Sequence, residues 1–212
     1  MIKAIIFDFD GVLVESAEIK TQAFRELFSK CPDKVDEIVV YHKRNMGISR
    51  YVKFQYIYEH ILNRSYSEGI GRELGAQFSE IVLDKVKKTA LVNGTKEFLE
   101  RNNKKYLLFI ASGTPKDELE DIVSSKHLEK YFKGIFGSPT TKQSIIGAIE
   151  KKYYLKCDEI VFIGDAESDQ EAANDAGVHF VLRQNLRNAI ADNGYRIADL
   201  TQLEKTIMEI ER

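Results

Sequence analysis

The chain has 212 residues, of which 43% are hydrophobic and 30% charged, and its net charge of -2 gives no general attraction for nucleic acid. No apolar stretch is long enough to span a bilayer, and the two cysteines, Cys31 and Cys157, lack the spacing of a zinc or redox site. We therefore expect a cytoplasmic protein, a monomer or dimer with free thiols, that binds neither nucleic acid nor a membrane.

Apolar runs that end in turn residues predict the strands of the protein. They lie at residues 4–9, 106–112, 134–138, 159–165 and 179–183. Because most of these runs are continuously apolar rather than alternating, both faces of the sheet are expected to be covered. The pattern predicts an α/β core with a doubly wound, Rossmann-like parallel sheet.

Helical patterns lie between the predicted strands, and several begin at capping residues. Thr114 precedes a proline and is expected to be the N-cap of the helix after the second strand. Thr140 or Thr141 is expected to cap the next helix. Asp199, with Gln202 three residues later, resembles a capping box at the start of the last helix.

The stretch between the first two strands is far longer than a crossover helix requires, and most of it has helical patterning. This length indicates an insertion rather than a connection. We predict a helical cap domain at residues 15–85, inserted into an α/β core domain formed by residues 1–14 and 86–212.

Polar residues cluster where the predicted strands end, and the carboxyl ends of parallel strands share one edge of the sheet, where ligands bind. Taken alone, each cluster is explained by an ordinary turn or a helix cap. Together they predict one site built from four segments. Its residues are Asp8, Asp10, Ser112, Gly113, Thr114, Lys142, Asp165 and Asp169.

This set of side chains suits phosphoryl transfer, in which a protein mainly positions the phosphoryl group and neutralises its charge. Asp8 and Asp165 offer hard oxygen ligands to Mg²⁺. Ser112, the backbone N–H groups near Gly113 and the Lys142 ammonium are suited to binding phosphate oxygens. A carboxylate can also act as a nucleophile, while a second acid moves protons.

The segments DFDGVLVES, ASGT, SPTTKQ and GDAESDQEAANDAG resemble, in order and spacing, the four motifs of the haloacid dehalogenase superfamily. The inserted helices resemble the cap of its phosphoglycolate phosphatase and β-phosphoglucomutase branch. The resemblance implies that Asp8 is the nucleophile and that Asp10 is the acid/base, with its main-chain oxygen on the metal. It also implies phosphate binding by Ser112 and Lys142, Mg²⁺ binding by Asp165, and support from Asp169.

Other residues are open to two interpretations. Glu167 is either a further metal ligand or a solvated loop carboxylate. Arg50 and Lys53 surround a glycine break in the cap, where the family keeps its substrate-specificity loop, but a solvated basic helix face explains them equally well. The four histidines show no ligand spacing, and none of them enters the predicted mechanism.

The resemblance alone does not identify the reaction, because proteins with this fold catalyse several different reactions. Dehalogenases and phosphonatases of the family lack a carboxylate at the position of Asp10. Where β-phosphoglucomutase has a histidine, this chain has Lys20, and Glu15 replaces the usual aspartate. We therefore predict a Mg²⁺-dependent phosphatase of a small phosphorylated metabolite, a sugar phosphate or a phosphoglycolate-like ester, acting through an aspartyl-phosphate. The alternatives are a hexose-phosphate mutase and a non-catalytic binding or regulatory module.

Overall fold

The computed structural model describes residues 1–184 and 194–212 and contains one parallel sheet at its centre. The spatial order of the strands is β3-β2-β1-β4-β5-β6, and every neighbouring pair is parallel. The sheet therefore grows in one direction from β1 to β3 and in the other from β4 to β6, as in a doubly wound fold. The strands described are β1 (Ala4–Phe7), β2 (Leu107–Pro115), β3 (Gly134–Ser138), β4 (Ile160–Gly164), β5 (His179–Arg183) and β6 (Tyr195–Ile197).

The sequence predicts β3 and β5 with their observed bounds, whereas β2 runs farther than expected. It continues to Pro115 through an irregularity in its pairing with β3 after Ala111. Strand β6 was not predicted, because its three residues form no apolar run. The predicted parallel α/β architecture is confirmed.

Helices connect the strands and form the insertion after β1. Those with α-helical bounds are α1 (Ala17–Leu27), α2 (Val35–Arg44), α3 (Arg50–Tyr56), α4 (Glu68–Lys88), α5 (Thr95–Asn102), α6 (Lys116–Ser125), α7 (Lys142–Tyr153), α8 (Glu167–Ala176) and α9 (Leu203–Ile210). A π-helical turn continues α3 over Ile57–Ile61. None of the helices in the described parts of the chain has both the length and the apolar character needed to cross a membrane.

Two of the predicted caps are wrong. Pro115, not Thr114, is the N-cap residue of α6, because the Thr114 hydroxyl is used by a carboxylate of the site described below. Asp199 caps a short 3-10 turn rather than α9, by accepting a hydrogen bond from Thr201 N. The cap of α7 is confirmed, since Thr141 Oγ1 accepts a hydrogen bond from Ser144 N at 3.2 Å.

Alternate side chains of β1 point to opposite faces of the sheet, and both faces are buried. Ile5 and Phe7 join a large apolar cluster that extends into the inserted helices. Ala4 and Ile6 join a second cluster under α7 and α8, together with Phe162. With both faces covered, β1 and β4 are rigid supports for the residues that follow them.

The inserted helices α1–α4 pack around Phe24, whose ring contacts Phe54 and Phe78 and stacks on His42 at a centroid distance of 4.3 Å. The two ends of this insertion lie side by side, because Val92 N donates a hydrogen bond to Leu13 O at 3.0 Å. We call residues 17–88, which form α1–α4 and the loops between them, the cap, and the remaining described residues the core.

Phe162→Ala is expected to lower the free energy of unfolding by about 3–5 kcal/mol, because the ring is fully buried in the sheet and its removal leaves a cavity. Urea denaturation measures this loss. Met208→Ala, on the exposed side of α9, is the control and is expected to change stability by less than about 0.5 kcal/mol. Equal effects of the two substitutions would contradict the packing described for this face.

Candidate active site

Asp8 and Asp10 follow β1 at the edge of the sheet where β4 also ends. Asp8 is 2% exposed, and its backbone N–H donates to Ile163 O of β4 at 2.9 Å, so β4 fixes its main chain. Gly11 has a φ of +78° and lies so close to Asp165 that a Cβ atom on it would be 2.1 Å from Asp165 Oδ2. The turn after β1 therefore requires glycine both for its conformation and for the close approach of the two acidic segments.

Three carboxylates gather around one lysine at this edge. Asp8, Asp165 and Asp169 are all buried, and each offers an oxygen within 4.8 Å of the others. Lys142, the first residue of α7, forms an ion pair with Asp8 at 3.0 Å and another with Asp169. A cation at a helix N-terminus opposes the helix dipole, and these two carboxylates compensate for it.

The buried charges shift one another's ionisation. Burial raises the pKa of Asp8 to about 7, against the attraction of Lys142 and with the repulsion of Asp169. Burial and the charge of Asp8 also raise the pKa of Asp165. For Lys142, burial opposes the charged form, but Asp169 and Asp8 raise the pKa above its usual value. The site therefore has surplus negative charge that a further cation would relieve.

Asp10 lies in a separate hydrogen-bonded environment. Its carboxylate accepts hydrogen bonds from Ser16 Oγ at 2.6 Å and from Thr114 Oγ1 at 2.9 Å, and it forms an ion pair with Lys20 of α1. Burial favours the neutral acid, but Lys20 and these hydrogen bonds lower the pKa of Asp10 below its ordinary value. The pKa of Asp8 is thus raised and that of Asp10 lowered. Opposite pKa shifts in neighbouring acids are typical of residues with different chemical roles.

The carboxyl-terminal end of β2 faces the two acids. Ser112 is 2% exposed, and its hydroxyl accepts a hydrogen bond from Thr114 N at 3.2 Å. Gly113 lies under the cap, where a Cβ atom would be 2.6 Å from Gly47 O. Ser168 Oγ of α8 donates to Met46 O at 2.9 Å, so the same cap loop also contacts the fourth motif.

Arg50 and Lys53 both line the cavity between the cap and the core, but their partners differ. The Arg50 guanidinium donates to both carboxylate oxygens of Glu118 on α6, at 2.6 and 3.0 Å, and to Ser79 Oγ at 2.9 Å. Lys53 Nζ contacts His42 Nδ1 at 3.3 Å and Asn45 O at 3.1 Å. Both cations are buried, so a solvated basic face does not describe them.

The residues around the carboxylates fit a magnesium ion. Mg²⁺ prefers carboxylate and carbonyl oxygens, and Asp8, Asp165 and Asp169 supply buried oxygens close enough to share one ion. One carboxylate oxygen of Asp169 is already occupied, because its Oδ2 accepts hydrogen bonds from Asp165 N at 3.2 Å and Ala166 N at 3.1 Å. Its position thus supports the loop that carries Asp165. Glu167 is exposed on α8 and lies outside this cluster.

Several contacts of the site were not predicted from the sequence. Lys20 stood out only as a departure from a family pattern, whereas the structure places it on Asp10 and Thr114. Glu118 was not singled out, because it lies in an ordinary acidic first turn of α6. Ser16 stands at the N-cap position of α1, where a serine usually caps the helix, but its hydroxyl donates a hydrogen bond to Asp10 instead. Thr114 lies 94 positions from Lys20, and Arg50 lies 68 positions from Glu118. Asp10 is only six positions from Ser16, but no local pattern shows that their side chains meet.

Comparison with known proteins gives a family match over most of the chain. The family model described as haloacid dehalogenase-like hydrolase matches residues 5–182. A relative from Thermotoga maritima, named phosphorylated carbohydrates phosphatase, is 24% identical over 181 residues, which cover 83% of this chain and 82% of that protein.

Solved structures share the complete fold. A β-phosphoglucomutase from Clostridium difficile has a TM-score of 0.79 and 22% identity, with 100% of both chains covered. A structure described as a predicted phosphoglycolate phosphatase from Haemophilus somnus has a TM-score of 0.77 and 20% identity, with 97% of this chain and 98% of that chain covered. On the strength of the family match and of the four motifs assembled at one sheet edge, the chain belongs to the haloacid dehalogenase-like hydrolases and is an enzyme.

Proposed function

We propose that the protein is a Mg²⁺-dependent phosphatase that hydrolyses a small phosphorylated metabolite through a phosphoenzyme on Asp8. The observation that carries this proposal is the division between the two acids of the first motif. Asp8 lies beside Lys142 and close to the carboxylates of Asp165 and Asp169. Asp10 instead accepts hydrogen bonds from Lys20, Thr114 and Ser16. The Thermotoga maritima relative, a phosphatase by name, supports the same reaction.

In the first step, a carboxylate oxygen of Asp8 attacks phosphorus, and the bond between phosphorus and the ester oxygen breaks. Lys20 and its hydrogen bonds favour the ionised form of Asp10 in the protein alone, so we propose that Asp10 takes up a proton when the anionic ester binds beside it. Asp10 then gives this proton to the leaving oxygen. Lys142, Ser112 and the backbone N–H of Gly113 hold the oxygens of the transferred group and stabilise their charge. The product alcohol then leaves an acyl phosphate on Asp8.

In the second step, water attacks the phosphorus of the acyl phosphate while Asp10 accepts its proton. The bond between phosphorus and the Asp8 oxygen breaks, and inorganic phosphate is released with Asp8 regenerated. Asp10 ends the cycle protonated, as it was in the substrate complex. Lys20 and Thr114 hold the Asp10 carboxylate in one place during both proton transfers.

Asp8, the main-chain oxygen of Asp10 and Asp165 are the residues proposed to hold Mg²⁺, with Asp169 in support. When bound, the ion supplies positive charge that offsets the repulsion between the carboxylates and the phosphate ester. A buried cluster of acids is otherwise unfavourable, which is why a cation is expected here.

The other hypotheses are less well supported by the residues present. A non-catalytic module is expected to lose the nucleophile or the metal acids, and this chain retains Asp8, Asp10 and Asp165. A mutase is expected to protect its phosphoenzyme from water, and Lys20 replaces the histidine of the mutase pattern. We propose a cytoplasmic setting, which the free thiols of Cys31 and Cys157 support.

The reaction itself is tested with an aryl phosphate and Mg²⁺, by measuring released inorganic phosphate. We expect turnover that EDTA abolishes, and a loss of at least about 10³-fold in Asp8→Asn because the nucleophile is removed. β-Glucose 1-phosphate should release phosphate, whereas its conversion to glucose 6-phosphate would identify a mutase. A purified, folded protein that releases phosphate from neither compound nor from a panel of phosphorylated metabolites would contradict the proposal.

Asp10→Asn is expected to slow the hydrolysis of the phosphoenzyme more than its formation. An aryl leaving group departs with little acid assistance, but attack by water still needs a base. Rapid mixing with the aryl phosphate and Mg²⁺ should therefore give a burst of phenolate close to one per site, with a phosphoryl label that hydroxylamine removes. Asp8→Asn should give no such label, and normal labelling of that variant would mean that another residue is the nucleophile.

Millimolar Mg²⁺ is expected to raise the melting temperature of the protein by several degrees, because binding to the folded state relieves the repulsion among the buried acids. Asp165→Asn should abolish this increase. Asp175→Asn, an exposed acid on α8, is the matched control and should retain it. An unchanged increase in Asp165→Asn would place the ion elsewhere.

A further inference from the structure

Arg183 lies at the end of β5, on the same sheet edge as the carboxylates but outside the four motif segments. It pairs with Ile197 of β6, and the next residue, Gln184, donates a backbone hydrogen bond to Ile197 O at 2.7 Å. Only 9% of the Arg183 side chain is exposed. A guanidinium is costly to bury unless oxygen atoms accept its hydrogen bonds, so its contacts indicate what it does there.

All three nitrogen atoms of the Arg183 guanidinium donate to oxygen. Nη1 donates to Gly11 O at 3.2 Å and to Glu15 Oε2 at 3.3 Å, and Nη2 forms an ion pair with Glu15 Oε1. Nε donates to Ala198 O, just after β6, at 3.2 Å. One planar group thereby joins the first motif to the far side of the sheet, which the single ammonium of a lysine is not shaped to do.

The two contacts with the first motif flank the hydrogen bond that holds Asp10. Gly11 directly follows Asp10, and Glu15 directly precedes Ser16, whose Oγ donates to Asp10 Oδ1 at 2.6 Å. The turn between them is closed by a hydrogen bond from Gly11 N to Val14 O at 2.8 Å. A shift of Gly11 or of Glu15 would therefore displace one end of the contact between Asp10 and Ser16.

Stability alone is a poor explanation for this arrangement. Glu15 keeps 45% of its side chain exposed, and a partly solvated carboxylate contributes little to stability as an ion-pair partner. A buried guanidinium with such a partner specifies one geometry more than it strengthens the fold. The geometry that Arg183 specifies is that of the turn carrying Asp10.

We propose that Arg183 is a positioning residue for Asp10, acting through Gly11 and Glu15. This inference rests on the proposed function, in which Asp10 is first the acid and then the base. Arg183 holds the turn so that the Asp10 carboxylate meets the leaving oxygen in one step and the attacking water in the next. A misplacement of about 1 Å is enough to slow such a step by up to about 100-fold.

Kinetics with 4-nitrophenyl phosphate and Mg²⁺ test the proposal. The phenolate leaves with little acid assistance, so kcat/KM, which reports formation of the phosphoenzyme, should change less than about threefold in Arg183→Met. Hydrolysis of the phosphoenzyme needs Asp10 as base, so the hydroxylamine-sensitive label should disappear about tenfold more slowly than in the wild-type protein. As this step becomes limiting, kcat and KM should fall together.

An ester with a poorer leaving group should give the complementary result. The sugar oxygen of β-glucose 1-phosphate needs a proton to leave, so kcat/KM for this ester should fall about tenfold in Arg183→Met. Arg183→Lys keeps the charge but not the planar fork and should restore only part of the loss. Loss of folded protein or of phosphate binding lowers kcat/KM for both esters alike. Equal losses, or constants unchanged for both esters, would therefore overturn the inference.

Glu15→Gln disturbs the same contact from a half-exposed side chain, so it tests the proposal without removing a buried group. It should produce the same pattern with smaller changes, and Arg183→Met should cost less in that background than alone, because both substitutions break one contact. Fully additive effects would contradict an action through Glu15. Arg25→Met, which removes an exposed ion pair with Asp36 within the cap, is the control and should keep the wild-type constants.

The outcomes separate this inference from the phosphatase proposal. Turnover by the wild-type protein, with effects of Arg183→Met that do not depend on the leaving group, would contradict the inference and leave the phosphatase proposal standing. Absence of phosphate release by the wild-type protein would contradict both, because Asp10 would then have no proton transfer to perform.

Discussion

The structure depends on the electrostatic cost of placing several carboxylates in a dry space at the end of β1. Asp8, Asp165 and Asp169 lie together with almost no solvent exposure, and carboxylates in such a place favour the neutral form unless a cation is near. Lys142 supplies one fixed positive charge between Asp8 and Asp169. Because this charge does not balance the cluster, a further cation beside the three carboxylates would lower the electrostatic cost. The raised pKa of Asp8 is a measure of the imbalance in the protein alone.

The same cost explains how the cap meets the core. Several charged groups at the interface are paired across it, so that each part supplies what the other lacks: Lys20 of α1 with Asp10 of the core, and Arg50 of α3 with Glu118 of α6. A buried pair of this kind contributes little to stability but strongly disfavours any arrangement in which one partner is left alone. The ion pairs therefore specify the position of the cap more than they strengthen it. Lys53 of α3 differs from these two cations, because its contacts are with the His42 ring and the Asn45 carbonyl oxygen.

Features set by local sequence were predictable, and features set by distant partners were not. The strands at 134–138 and 179–183 have their expected bounds because apolar runs and turn residues lie within them. The convergence of the four motifs follows from parallel topology, which the continuous apolar runs indicate. The N-cap at Thr114 was wrong because a hydroxyl suited to capping is captured by Asp10, 104 positions away. Glu118 escaped notice for the same reason, since an acid in the first turn of a helix is ordinary until Arg50 lies beside it.

The Arg50–Glu118 contact has a consequence for how caps are exchanged between related proteins, by evolution or by design. Arg50 lies in the insertion and Glu118 lies in the core, so an exchange of the insertion alone would transfer one partner without the other. A foreign cap without the arginine would leave the Glu118 carboxylate buried and unpaired. A foreign core without the glutamate would leave the Arg50 guanidinium buried and unpaired. Modular recombination at the natural boundaries of the insertion is thus constrained by one residue on α6. A compatible chimera has to transfer that residue together with the helices it faces.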